Sequence, residues 1–243
     1  MAEGTAFYAL RPGGWRDYVT MLHPPYTLWH LSYVGIGWAT APGAHLDRLV
    51  ALLVAFFLAV GLGAHALDEL NGHPLRTRIS DAVLKVIAVA SIALAVVVGI
   101  AGAARTSWSL LPFVAFGGFI VVAYNLELFG GRFHSDVWFG LAWGAFPALT
   151  ASWTGALGPT VPGFLVAAAC FELSIAQRTL STPVRALRRS TQSVSGSVER
   201  SDGTMETVDA AYLRAAPEGA LRAMSVALPV LAAAFVALRL AAP

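Results

Sequence analysis

The sequence predicts an all-α integral membrane protein, a bundle of about seven transmembrane helices in a single domain, with its N-terminus in the cytoplasm. Three observations predict it. Only 12% of the 243 residues are charged, while 57% are hydrophobic and mean hydropathy is +0.66; a soluble domain carries about 25% charged residues. The apolar residues gather into runs near the roughly 20 residues a bilayer core requires, not the alternating segments of a β-barrel. The basic residues, finally, fall mostly on one side once the runs are threaded through a membrane.

The runs lie at about 25–41, 47–67, 82–103, 109–127, 137–156, 161–177 and 221–240. The first is short, and its Tyr26, Trp29, Tyr33 and Trp38 suit an interfacial or partly buried helix. The segment before it carries Arg11, Arg16 and Asp17 and has no compact apolar core, so no cleavable leader is expected. Pro147 and Pro162 kink the fifth run or start the sixth. Small residues such as Gly61, Gly63, Gly117, Gly118, Gly140 and Gly144 allow close helix approach. The stretch at about 178–220 is read as a cytoplasmic basic and flexible loop. In it QRTLSTPVRALRRS is basic and amphipathic, suited to an anionic leaflet. TQSVSGSVERSDGT is Ser/Gly-rich and flexible, and a short helix at about 205–215 precedes the last run.

With seven spans, the inner segments hold twelve of the sixteen Lys and Arg, and the outer side holds Arg48, Arg105 and Arg239. Excess basic charge belongs on the cytoplasmic side, which places the chain as a multi-pass protein of the cell (inner) membrane. Lys85, the lone lysine, sits inside the third run as a snorkelling or pairing residue, or as a contact for a substrate anion. Cys170 is the one cysteine, which excludes disulfides and cysteine-metal frameworks. A net charge of +2 gives no reason to expect nucleic acid as a partner.

The ligand-type residues collect at the inner helix ends. His65, Asp68 and Glu69 are three and four residues apart and share one helix side; His73 follows, with Gly72 and Pro74 ending the helix. Glu127 closes the fourth run, Gly130 and Gly131 permit a turn, and His134 faces back; Asp136 reads as the N-cap of the next helix. Glu172 lies late in the sixth run, where an uncompensated charge is costly. Imidazole and carboxylate are ligands for iron, zinc and manganese, and bundle sites draw them from facing helices. His30, on the aromatic first helix, is a weaker candidate.

The stretch HALDELNGHPLRTRIS, together with YNLELFGGRFHSD followed by FGLAWGAFPAL, resembles the UbiA superfamily of intramembrane prenyltransferases in layout over about residues 25–178. The first looks like that family's short acidic motif, Pro-Leu and Ile-Ser helix start; the second is similar to its tyrosine-bearing fourth helix, inner loop and Gly-rich fifth helix. The family's Asn-Asp-x-x-Asp signature and second Asp motif are not present, and His and Glu stand where Asp is usual. The resemblance implies a UbiA-like bundle with a membrane-open cavity, and, in a prenyltransferase, magnesium held by Asp68 with a prenyl diphosphate on Arg76, Arg78 and Arg132.

The expectation is therefore a membrane metalloenzyme acting on a lipid-like or isoprenoid-like small molecule at the cytoplasmic helix ends, with membrane lipid around it. Its metal ligands would be His65, Asp68, Glu69, His73, Glu127, His134 and Glu172, and its substrate contacts Arg76, Arg78, Arg132, Tyr124, Asn125 and Gln177. The mixed donor set places iron ahead of zinc and magnesium. A di-iron site would imply oxidation, with an electron donor as a candidate partner, and a zinc site hydrolysis through a bound water. The alternatives are the UbiA-type prenyltransferase, and a transporter or a non-catalytic lipid- or metal-binding protein.

Overall fold

The computed structural model describes residues 5–43 and 45–242. Eight helices account for most of it: α1 (Trp15–Met21), α2 (Pro24–Ala39), α3 (Leu46–Leu70), α4 (Asp81–Arg105), α5 (Trp108–Asn125), α6 (136–156), α7 (Val161–Arg189) and α8 (Ala210–Ala241). Side-chain caps start several of them. Ser80, Thr160 and Asp209 accept from the backbone N–H of Val83, Gly163 and Tyr212, covering donors the first turn leaves free. At α6 the cap is Ser135, which accepts from Trp138 N–H, and not Asp136. Asp136 lies one residue on and is engaged by Arg178 at 2.7 Å.

All seven apolar runs lie on helices, and five of these helices are long and apolar enough to cross a membrane: α3, α4, α5, α7 and α8. α2 has 16 residues, about 24 Å at 1.5 Å per residue. α6 is longer, but its Trp, Thr, Ser and Gly residues dilute its apolarity. Of the two placements expected for α2, interfacial or partly buried, the structure shows burial. α2 is the central post of the bundle, packed by α8, α6, α3 and α7, with Trp29, Tyr33 and Trp38 fully buried. Trp29 donates its indole N–H to the Tyr33 hydroxyl, which also accepts from Ser174 of α7.

Close crossings hold this arrangement. A methyl group at Gly37 would run into the backbone carbonyl of Ala148, and one at Gly144 into that of Cys170. These two contacts set α2 against α6 and α6 against α7. Outward, α4 presents Val86, Val89, Leu94 and Val97, and α8 presents Val226, Val230 and Leu238, all exposed. Such a belt is the surface a lipid environment demands. Lys85 is exposed at the start of α4, with its charge near the helix end.

The segment expected to be a loop at 178–220 is built differently. α7 continues through it to Arg189, with Pro183 accommodated inside the helix. A hairpin follows, β1 (Gly196–Glu199) antiparallel to β2 (Met205–Val208), closed by the Arg200–Glu206 ion pair. α8 then runs unbroken from Ala210, past Pro217 and Pro229. The apolar count missed these extensions because they are amphipathic: their helical turns pack on one side only.

α3 and α6 each contain a stretch of wide, π-helical turns, Phe57–Ala64 and Gly140–Ala145. Such turns occur often at functional sites. Both stretches border the cavities described next.

Candidate functional site

At the end of the bundle where α7 and α8 carry their arginines, a polar cavity of about 350 Å³ opens between the helices. Its walls come from five places. The N-terminal segment gives Phe7 and Tyr8, the start of α2 gives His23 and Tyr26, and α3 gives His65 and Asp68. α5 and the turn after it give Tyr124, Asn125, Glu127 and His134. The second half of α7 gives Gln177, Arg178, Ser181, Arg185, Arg188 and Arg189. Four lining arginines face two lining carboxylates, Asp68 and Glu127, so the cavity favours an anion.

The arginines are not equivalent. Arg178 is held by Asp136 and by the Tyr124 hydroxyl, to which it donates at 2.9 Å. Arg188 is paired with Glu218 of α8 at 2.6 Å. Arg185 donates only to Thr182, at 3.1 Å, and Arg189 has a buried Nε–H with no partner among the described residues. Arg189 and Arg185 exert the largest charge interactions on Asp68, yet neither forms an ion pair with it among the described residues. Two cations and one carboxylate thus meet across open space.

Two histidines form the opposite corner. His23 and His65 stack in parallel, ring centroids 4.2 Å apart and planes within 7°. The Tyr8 hydroxyl is 2.8 Å from His23 Nδ1, while His23 Nε2 is buried and unpartnered among the described residues. Burial pushes the His23 pKa well below its ordinary value, with the neighbouring His65 and Arg189 acting in the same direction. His23 is therefore neutral at physiological pH. Burial likewise pushes the Tyr8 hydroxyl well up, with Tyr26 adding to it. Gln177 Oε1 is a third buried atom without a partner among the described residues.

Of the residues predicted from sequence, the cavity gathers His65, Asp68, Glu127, His134, Tyr124, Asn125, Gln177 and His30. It does not gather the rest. Glu69, fully buried, faces the chain after α3: it accepts from Leu75 N–H and Thr77 N–H, each at 2.9 Å, and from the Thr77 hydroxyl at 2.8 Å. His73, with a left-handed backbone (φ 50°), turns to Asp81 at 3.0 Å. Glu172 is exposed on the outer face of α7. Arg76, Arg78 and Arg132 are exposed and line no part of the cavity.

Among the described residues no group of three or more His, Cys, Asp or Glu side chains is placed to hold a metal ion. The physical reason is local. Glu69 is engaged by the loop and His73 by Asp81. His65 turns its Nδ1 to the Gly61 carbonyl at 3.2 Å. His134 stacks on Tyr124 with centroids 4.5 Å apart and keeps its Nδ1 3.1 Å from the Tyr124 carbonyl and 3.9 Å from Glu127.

Sequence reasoning missed Tyr8, His23, Tyr26 and the arginines of α7. For α7 a signal existed: Gln177, Ser181, Arg185 and Arg189 recur every four residues, a stripe on one helix face. His23 had none, because it reaches the site only when α2 is threaded through the bundle.

A second cavity, about 420 Å³ and almost wholly apolar, runs between α3, α4, α5 and α6. Ala55, Ala59, Ile92, Val96, Val114 and Phe146 are among its walls, and Arg48 and Arg105 stand at its far end. Val60 and Trp143, from the two π-helical stretches, line both cavities. The polar chamber and the apolar groove therefore share a wall. No family model, curated protein or solved structure matches this chain.

Proposed function

We propose that the protein is a multi-pass protein of the cell membrane that holds an anionic, lipid-like amphiphile, its head in the polar cavity and its chain in the apolar groove. The single observation that carries this reading is the shared wall at Val60 and Trp143, which sets an arginine-bearing chamber directly beside a hydrocarbon-like groove. An anionic head gains charge-assisted hydrogen bonds from Arg185 and Arg189, and a chain gains apolar contact along α3 to α6. The excess of arginines at this end supports a cytoplasmic orientation for it. A metal-dependent reaction is not the reading the donors support best: the lining carboxylates are Asp68 and Glu127, and the Glu127 side chain is 53% exposed. The same scarcity weighs against a UbiA-type diphosphate site.

Binding of a fluorescent single-chain phospholipid to the detergent-purified protein tests the proposal. Arg185→Gln with Arg189→Gln should weaken binding at least tenfold, and Val60→Trp, which narrows the shared wall, should do the same. Unchanged affinity in the arginine pair would sink the head placement. Unchanged affinity in Val60→Trp would sink the chain placement.

A further inference from the structure

The chamber is not built for charge alone. Facing its two available arginines are groups that an anion cannot satisfy: the Asp68 carboxylate, which has no hydrogen-bond partner among the described residues, and the buried Gln177 Oε1, likewise unpartnered among them. His23 Nε2 adds a third atom unpartnered among the described residues in the same chamber. The first two are acceptors, and a simple phosphodiester or a fully ionised phosphate offers them only further acceptors. It would repel Asp68 and leave the Gln177 oxygen dry and unpaired, a penalty sites use to reject ligands lacking a donor. A ligand that brings hydroxyls beside its anion pairs both walls at once.

We propose that the head recognised here is a hydroxylated anion, a phosphodiester carrying a polyol or sugar. In this arrangement the phosphodiester lies on Arg185 and Arg189, and hydroxyl groups donate to Asp68 and to Gln177 Oε1. The inference rests on the amphiphile reading and adds the chemistry of its head. Each open group is matched: the Arg189 Nε–H by a phosphate oxygen, the Gln177 oxygen and Asp68 by hydroxyls. His23, neutral and stacked on His65, is left to take one further hydroxyl hydrogen bond through Nε2.

The test compares two probes of equal charge and equal chain in the purified protein: 1-oleoyl-lysophosphatidylinositol and the ethyl phosphodiester of 1-oleoyl-lysophosphatidic acid. The wild type should bind the inositol lipid at least tenfold more tightly. Gln177→Leu, close to isosteric, and Asp68→Ala should each reduce that ratio at least threefold while affinity for the ethyl ester holds or rises. Equal binding of the two probes by the wild type would overturn the inference and leave the amphiphile reading standing. A preference that survives in both variants would overturn it as well. Binding of neither probe would overturn both, and the arginine variants report separately on the anion.

Discussion

Glu69→Ala removes a fully buried carboxylate that accepts three hydrogen bonds from Leu75 and Thr77 and so fastens the α3–α4 connection to the end of α3. Hydrogen bonds to a charged acceptor contribute about 1.5–3 kcal/mol each, and a buried donor left unpaired costs about 1–3 kcal/mol. The contributions overlap, since one side chain supplies all three acceptors, and the expected loss is about 3–5 kcal/mol. Glu69→Gln keeps one oxygen but turns an amide N–H₂ toward a backbone N–H, for an expected loss of about 1.5–3 kcal/mol. Equilibrium unfolding in mixed micelles reads both. Amphiphile binding by the folded fraction should be unchanged, because the Glu69 side chain does not line the cavity. If Glu69→Gln unfolds at the wild-type midpoint, or if its folded fraction loses a bound metal, the structural role assigned to this carboxylate is refuted.

Other perturbations have equally direct outcomes. His23 holds its pKa below the 6.5 of a free imidazole because it is buried, so the unfolded chain binds a proton that the native one refuses. Stability from this group is complete above about pH 6.5 and falls by up to ~1.4 kcal/mol per pH unit below it; unfolding of His23→Gln should show a shallower acid dependence, and an unaltered slope would show that His23 does not titrate this way. Gly37→Val drives a side chain into the Ala148 carbonyl and should cost about 1–3 kcal/mol. Gly102→Ala, in open space on α4, should leave the unfolding midpoint unchanged or raise it by the equivalent of up to about 1 kcal/mol. Asp209→Ala removes the cap of α8 and should cost about 1 kcal/mol in the same assay.

Much of the helical layout was legible. All seven apolar runs lie on helices because apolar residues in long blocks have no other way to satisfy their backbone groups. The left-handed turn at Gly130 and Gly131 was readable from the pair itself. The clustering of His65, Asp68, Glu127 and His134 at one end was readable too, since charges concentrate where helices end. The roles of individual side chains were less so. Glu69 and Asp68 are neighbours on one helix end, yet one anchors a loop and the other opens into the cavity. A rotation of about 100° per residue separates those fates, and only the packing of the following loop decides which direction is inward.

By itself, the sequence determined that the chain is apolar, helical and polarised, with its arginines gathered at one end; these follow from composition and from the period of the helix. Only the tertiary structure decided that α2 is the buried post, that α7 carries a cationic stripe into the chamber, and that His23 stacks on His65. It also decided that the chamber and the groove meet at Val60 and Trp143. Those relations join residues far apart in the chain. They depend on crossing contacts such as Gly37 on Ala148 and Gly144 on Cys170, which local propensity does not encode.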